Sequence, residues 1–100
     1  MQSKAAQTAA LLRDKTVFYV NIETPDGQDS ITETTLESPE GAASGIAVAV
    51  EGDTIIFKTG DKTASFLMLE TAQILTNRTE EAEIIVTLAQ NGGLQIKSRV

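Results

Sequence analysis

Residues 46–69, IAVAVEGDTIIFKTGDKTASFLML, decide the fold class. Ile46, Val48 and Val50 alternate with Ala47, Ala49 and Glu51, the period of two expected of a strand with one buried face. The pattern stops at Gly52-Asp53, resumes over 54–59, stops at Gly60-Asp61 and resumes over 63–69. Gly beside Asp supplies the positive φ and the short polar side chain that two-residue hairpin turns need. A meander of three antiparallel strands follows, with 46–50 as its most cleanly buried member.

Towards the N-terminus, Phe18, Val20 and Ile22 alternate with Tyr19, Asn21 and Glu23, a half-buried strand. Thr24-Pro25-Asp26-Gly27 has the Pro and Gly placement of a type I turn. Residues 29–36 alternate poorly but are rich in β-branched side chains, so they read as a solvated or edge strand completing a hairpin. Residues 37–45, ESPEGAASG, read as an irregular loop. At the start of the chain, residues 3–13 read as a helix, with Ser3 as N-cap and Ala5, Ala9 and Leu12 on one narrow face.

Towards the C-terminus, Leu69, Ala72, Ile74 and Leu75 fit a short helix slightly better than a strand. Ile84, Val86 and Leu88 alternate with Ile85, Thr87 and Ala89, and Asn91-Gly92 is a strong hairpin signal. The last strand points Leu94, Ile96 and Val100 inward and Gln95, Lys97 and Arg99 outward. The expectation is a mainly β chain with a minor α component. An N-terminal helix precedes about seven antiparallel strands in hairpins and a meander, arranged as a small barrel or a two-sheet sandwich. Residues 1–100 form a single domain, with 1–15 as the helix or arm and 16–100 as the β domain.

The composition excludes several chemistries. With 41% hydrophobic and 22% charged residues the chain is not disordered by composition. It has no Cys and no His, so it lacks a thiolate nucleophile or ligand and the commonest acid–base and transition-metal group. No nucleophile elbow, Ser-x-x-Lys pair or phosphate-cradling Gly-rich loop is present. Asp26-Gly27-Gln28-Asp29 lacks the alternating ligand series of a calcium loop, and a turn explains it. The chain is therefore expected to be non-enzymatic, without cofactor or metal.

Polar Gln2, Ser3, Gln7 and Thr8 break any signal-peptide core near the start. The apolar runs Phe66–Leu69 and Ile84–Val86 are too short to span a bilayer. Together these features lead to the expectation of a cytoplasmic protein with no membrane partner.

Charge is distributed unevenly. No basic residue lies between Lys15 and Lys58, whereas that interval holds Glu23, Asp26, Asp29, Glu33, Glu37, Glu40, Glu51 and Asp53, in a chain of net charge −6. An ordinary solvated face explains such a segment; a docking surface for a basic protein partner is the functional alternative. Nucleic acid is excluded as a partner there, because phosphates are repelled. The candidate partner-binding residues are Glu23, Asp26, Asp29, Glu33, Glu37 and Glu40. Lys97 and Arg99 guard an edge against aggregation or meet the acidic end of a neighbouring copy in a head-to-tail homo-oligomer. The N-terminal helix, through Leu12, is a second self-association candidate. The expected function is thus a non-catalytic interaction or structural module acting through an acidic surface. The alternative is a carrier of a small apolar ligand in a pocket inside the β domain.

Overall fold

A computed structural model of the chain describes residues 2–27, 29–38 and 45–99. Helix α1 spans Lys4–Leu11, and Ser3 caps it as expected, its Oγ accepting from Ala6 N at 3.1 Å. Ala5, Thr8 and Leu12 are buried beneath the helix. Thr8 satisfies its hydroxyl by donating to Lys4 O at 2.9 Å, and Ser3 Oγ ties the helix start to Gly52 O at 3.2 Å.

Among the described residues eight strands follow: β1 Thr16–Pro25, β2 Ile31–Glu37, β3 Ala47–Glu51, β4 Thr54–Thr59, β5 Lys62–Leu67, β6 Gln73–Arg78, β7 Ala82–Ala89 and β8 Gly92–Arg99. They form two antiparallel sheets, a five-stranded one in the order β2-β1-β8-β7-β6 and a three-stranded one in the order β3-β4-β5. β2 packs beside β5 without a hydrogen-bonded pairing among the described residues, so the sheets do not close into a barrel. The expected meander is sheet β3-β4-β5, with turns at Gly52-Asp53 and Gly60-Asp61. No helix among the described residues is long and apolar enough to cross a membrane.

One core joins both sheets and the helix. Val20, Ile22, Leu36, Ile85, Leu94 and Ile96 project from the five-stranded sheet onto Ile55, Phe57, Ala64, Phe66 and Met68 of the smaller one, with Ala5 and Leu12 at its margin. Full burial of a Phe or Ile side chain contributes about 1.5–3 kcal/mol. These interlocking faces therefore hold the sheets together without a shared strand.

Several local expectations are corrected. β1 runs through Pro25 and its hairpin closes over 26–30, with Gly27 and Asp29 at positive φ, rather than in a type I turn at 24–27. Residues 73–78 are strand β6, not helix, paired with β7 from Gln73↔Leu88 to Arg78↔Glu83. The helical spacing was read across a turn: Ala72 N donates to Leu69 O at 3.0 Å before the strand begins. β3 is less buried than its alternation implies, because the short helix α1 is its neighbour outside the sheet. Ile46 is buried, but Val48 is only half-buried and Val50 is 38% exposed. The expected loop at 37–45 lies largely outside the described residues, as does Val100.

A β-bulge at Phe18 shifts the β1–β8 register between Val17 and Tyr19. Val17 O accepts from Ile46 N at 2.8 Å and Phe18 O from Ser38 N at 3.0 Å, so the chain on either side of residues 39–44 is anchored to the bulge. Gly45 suits this approach, since a Cβ there would stand 2.3 Å from Val17 O. Gly92, at φ +137°, opens β8 where a Cβ would lie 2.1 Å from Glu23 O.

Two predictions follow from this packing. Gly92→Ala forces a side chain against the β1 backbone in a conformation that L-residues rarely adopt. It should cost about 2–3 kcal/mol, read as a fall of roughly 10 °C or more in Tm. Thr87 and Ser98 are buried on the inner face of the large sheet, with hydroxyls that have no hydrogen-bond partner among the described residues. Thr87→Val removes an unsatisfied polar group at constant shape and should raise stability by about 1 kcal/mol. An unchanged or lowered Tm would show that the hydroxyl is satisfied.

Candidate functional site

The five-stranded sheet has two faces of different kinds. Its inner face is the core just described. Its outer face carries, by strand register, Glu33, Thr35 and Glu37 of β2; Tyr19, Asn21 and Glu23 of β1; Gly93, Gln95 and Lys97 of β8; Ile84, Val86 and Leu88 of β7; and Leu75 of β6. Side chains alternate strictly between faces along a strand, so these residues share one surface.

That surface is divided by chemistry. On the β1–β2 side Glu23 stands directly across from Glu33, and Glu37 pairs with Tyr19. Like charges directly opposed across strands are destabilising. Asn21 moderates the arrangement: it is only 7% exposed, and its Nδ2 donates to Glu33 Oε1 at 2.9 Å and to Thr35 Oγ1 at 2.8 Å. On the β6–β7 side Leu75 and Leu88 are 52% and 51% exposed, beside half-buried Ile84 and Val86. At the far end of β8, Lys97 Nζ lies 4.9 Å from the Tyr19 ring centroid and Arg99 Cζ lies 5.5 Å from that of Phe18. Such contacts are worth about 0.5–1 kcal/mol at exposed sites and fix the cations on this face.

Between the two halves the sheet is dented. Gly93 has no side chain, and Asn21, Glu23, Val86, Leu88 and Gln95 rise around it to enclose an open pit of about 240 Å³. One wall of the pit is aliphatic and another carries a carboxylate. A larger cleft of about 470 Å³ lies elsewhere, between Leu11 and Lys15 and the β6–β7 edge. There Lys15 Nζ is ion-paired with Glu83 Oε2, and Arg78 Nε lies 3.9 Å from Glu83 Oε1. That acid is thus engaged by cations of the same chain.

The acidic residues expected to act together are only partly brought together. Glu23, Glu33 and Glu37 share the outer face, and Asp26 and Asp29 lie on the hairpin loop beyond it. Glu51 and Asp53 are on the other sheet, at the β3–β4 turn, and Glu40 lies outside the described residues. Lys97 and Arg99 share the face with the acids rather than occupying an opposite end of the molecule. Leu12 is 5% exposed and belongs to the core, and the helix leaves Leu11 exposed.

The apolar half of the face was not singled out from the sequence, although a signal for it exists. β7 reads EIIVTLA over 83–89, apolar in both alternating sets. Such a run belongs to a strand covered on both faces. Here the described chain buries the Ile85–Thr87 side and leaves Ile84 and Val86 half-buried and Leu88 exposed. No protein-family model matches the chain, nor does any curated protein or solved structure.

The hydrogen bonds of Asn21 make it the keystone of the acidic half. Asn21→Asp places a third carboxylate against Glu33 and should destabilise the fold by about 2 kcal/mol at neutral pH. Repulsion raises the folded-state pKa of the introduced carboxyl. The penalty is therefore present above that pKa and shrinks as pH falls through it. Denaturant melts at pH 7 and pH 4, compared with the parent chain, read this out; a penalty independent of pH would contradict the assignment.

Proposed function

We propose that the chain is a non-catalytic protein-interaction module whose working surface is the outer face of the five-stranded sheet. The observation that carries this reading is the juxtaposition of Glu23, Glu33 and Glu37 with exposed Leu75 and Leu88 and half-buried Val86 on one continuous surface. Isolated exposed apolar residues, such as Ile31 at 68%, are ordinary on a protein surface. A group of neighbouring ones beside an unneutralised acidic band marks a contact surface. The partner that fits is a protein presenting aliphatic side chains next to Lys or Arg. Apolar burial supplies the affinity, and the carboxylates supply orientation and a salt-dependent association rate.

The test is capture of binding proteins on the immobilised chain at low and high salt, comparing the wild type with the triple variant Glu23→Gln, Glu33→Gln, Glu37→Gln. The triple variant should bind about tenfold more weakly and lose most of the salt dependence. A partner held equally by both forms would reject the acidic face as the docking surface.

A further inference from the structure

The pit above Gly93 and the cation on the same strand are complementary, and this identifies an occupant for the face. We propose that the partner is a second copy of the chain, seated face to face as an isologous dimer. Its twofold axis crosses the strands at the level of Asn21, Gln95, Val86 and Leu75. This inference rests on the reading of the outer face as a docking surface.

Strand register provides the argument. An in-plane twofold axis running across the strands lays each strand over its own counterpart in the opposite direction. Val86 then meets the partner's Val86, Leu75 meets the partner's Leu75, and Ile84 meets the partner's Leu88. On β8 the same operation places Lys97 over the partner's Gly93, two pairing levels from its own Gly93. Lys97 extends over Tyr19 on β1, the strand that also carries Glu23. In the pit its alkyl stem would lie against the partner's Leu88 and its ammonium would reach the partner's Glu23. Each subunit contributes one cation and one pit, so the contact is made twice and closes.

The alternative in-plane axis, parallel to the strands, lays the apolar β6–β7 side over the acidic β1–β2 side and leaves both unsatisfied. Apolar pairing and the contact of Lys97 with the partner's Glu23 therefore select the first axis. It brings Glu37 towards the partner's Glu33 only at the rim, where the roughly 30° angle between aligned packed sheets separates the edges and water screens the charges. The contact also covers the second apolar set of β7, of which Ile84 and Val86 are half-buried and Leu88 is exposed. From strand spacing and rise the face measures roughly 20 by 25 Å, a modest area against the roughly 800 Å² per partner of a standard interface. The dimer is accordingly expected to be micromolar and reversible.

Sedimentation equilibrium or light scattering of the purified chain, from about 1 to 200 µM, tests this. The wild type should move from 10.6 kDa towards twice that mass as concentration rises. Gly93→Val should hold the mass at that of one chain while leaving the fold intact, because a Cβ at Gly93 would meet only Thr87 O, at an ordinary 3.7 Å. Lys97→Glu should weaken association at least tenfold, and the double variant Lys97→Glu, Glu23→Lys should recover it.

A wild type that stays at 10.6 kDa throughout, a Gly93→Val form that dimerises like the parent, or a double variant no better than Lys97→Glu overturns the proposal. A monomeric wild type whose salt-sensitive capture is still lost on neutralising Glu23, Glu33 and Glu37 overturns self-pairing alone and leaves the docking face standing.

Discussion

The pairing of β1 with β8 is the constraint on which the other features depend. It joins the first strand of the chain to the last, from Thr16↔Arg99 to Glu23↔Gly93, and places both at the middle of the large sheet. β2 extends the sheet on one side and β7 with β6 on the other. Closing so long a loop costs several kcal/mol of chain entropy. Burial of Val20, Ile22, Leu94 and Ile96 at the centre of the core offsets that cost. Gly92 permits the β7–β8 hairpin to approach Glu23, and the bulge at Phe18 frees two carbonyls to anchor the passage between the sheets.

The same pairing creates the outer surface. With β1 and β8 adjacent, the acids of the first hairpin and the aliphatic side chains of the last lie on one plane, with Gly93 between them. Neither half alone would identify a binding surface. An acidic hairpin is well solvated, and two half-exposed leucines are tolerable. Under the proposed reading, their continuity supplies both affinity and orientation.

Much of the architecture was legible along the chain because it depends on local chemistry. The turns at Gly52-Asp53 and Gly60-Asp61, the cap at Ser3 and the exposed second strand at 31–37 follow from dihedral preference and period-two patterning, as does the last hairpin, whose turn is Gln90-Asn91, one residue before the expected Asn91-Gly92. Where reading failed, a local pattern crossed an element boundary or depended on neighbours. The helical spacing through Leu69, Ala72 and Leu75 spans a turn. Val50 alternates like a core residue, but the neighbour of β3 is the short helix α1, which leaves Val50 partly exposed.

The sequence by itself determined the class of the chain, the two turns of its meander, its chemical inventory and the sign of its charge. Each of these depends on residue type and near-neighbour spacing. Only the tertiary structure decided that the strands divide five and three without closing, and that Leu12 is interior. It also decided that Glu23, Glu33 and Glu37 share a surface with Lys97, Val86 and Leu88. Those outcomes depend on which strands become neighbours across long stretches of chain. A period of two states that a strand has two faces, but it does not state what each face will meet.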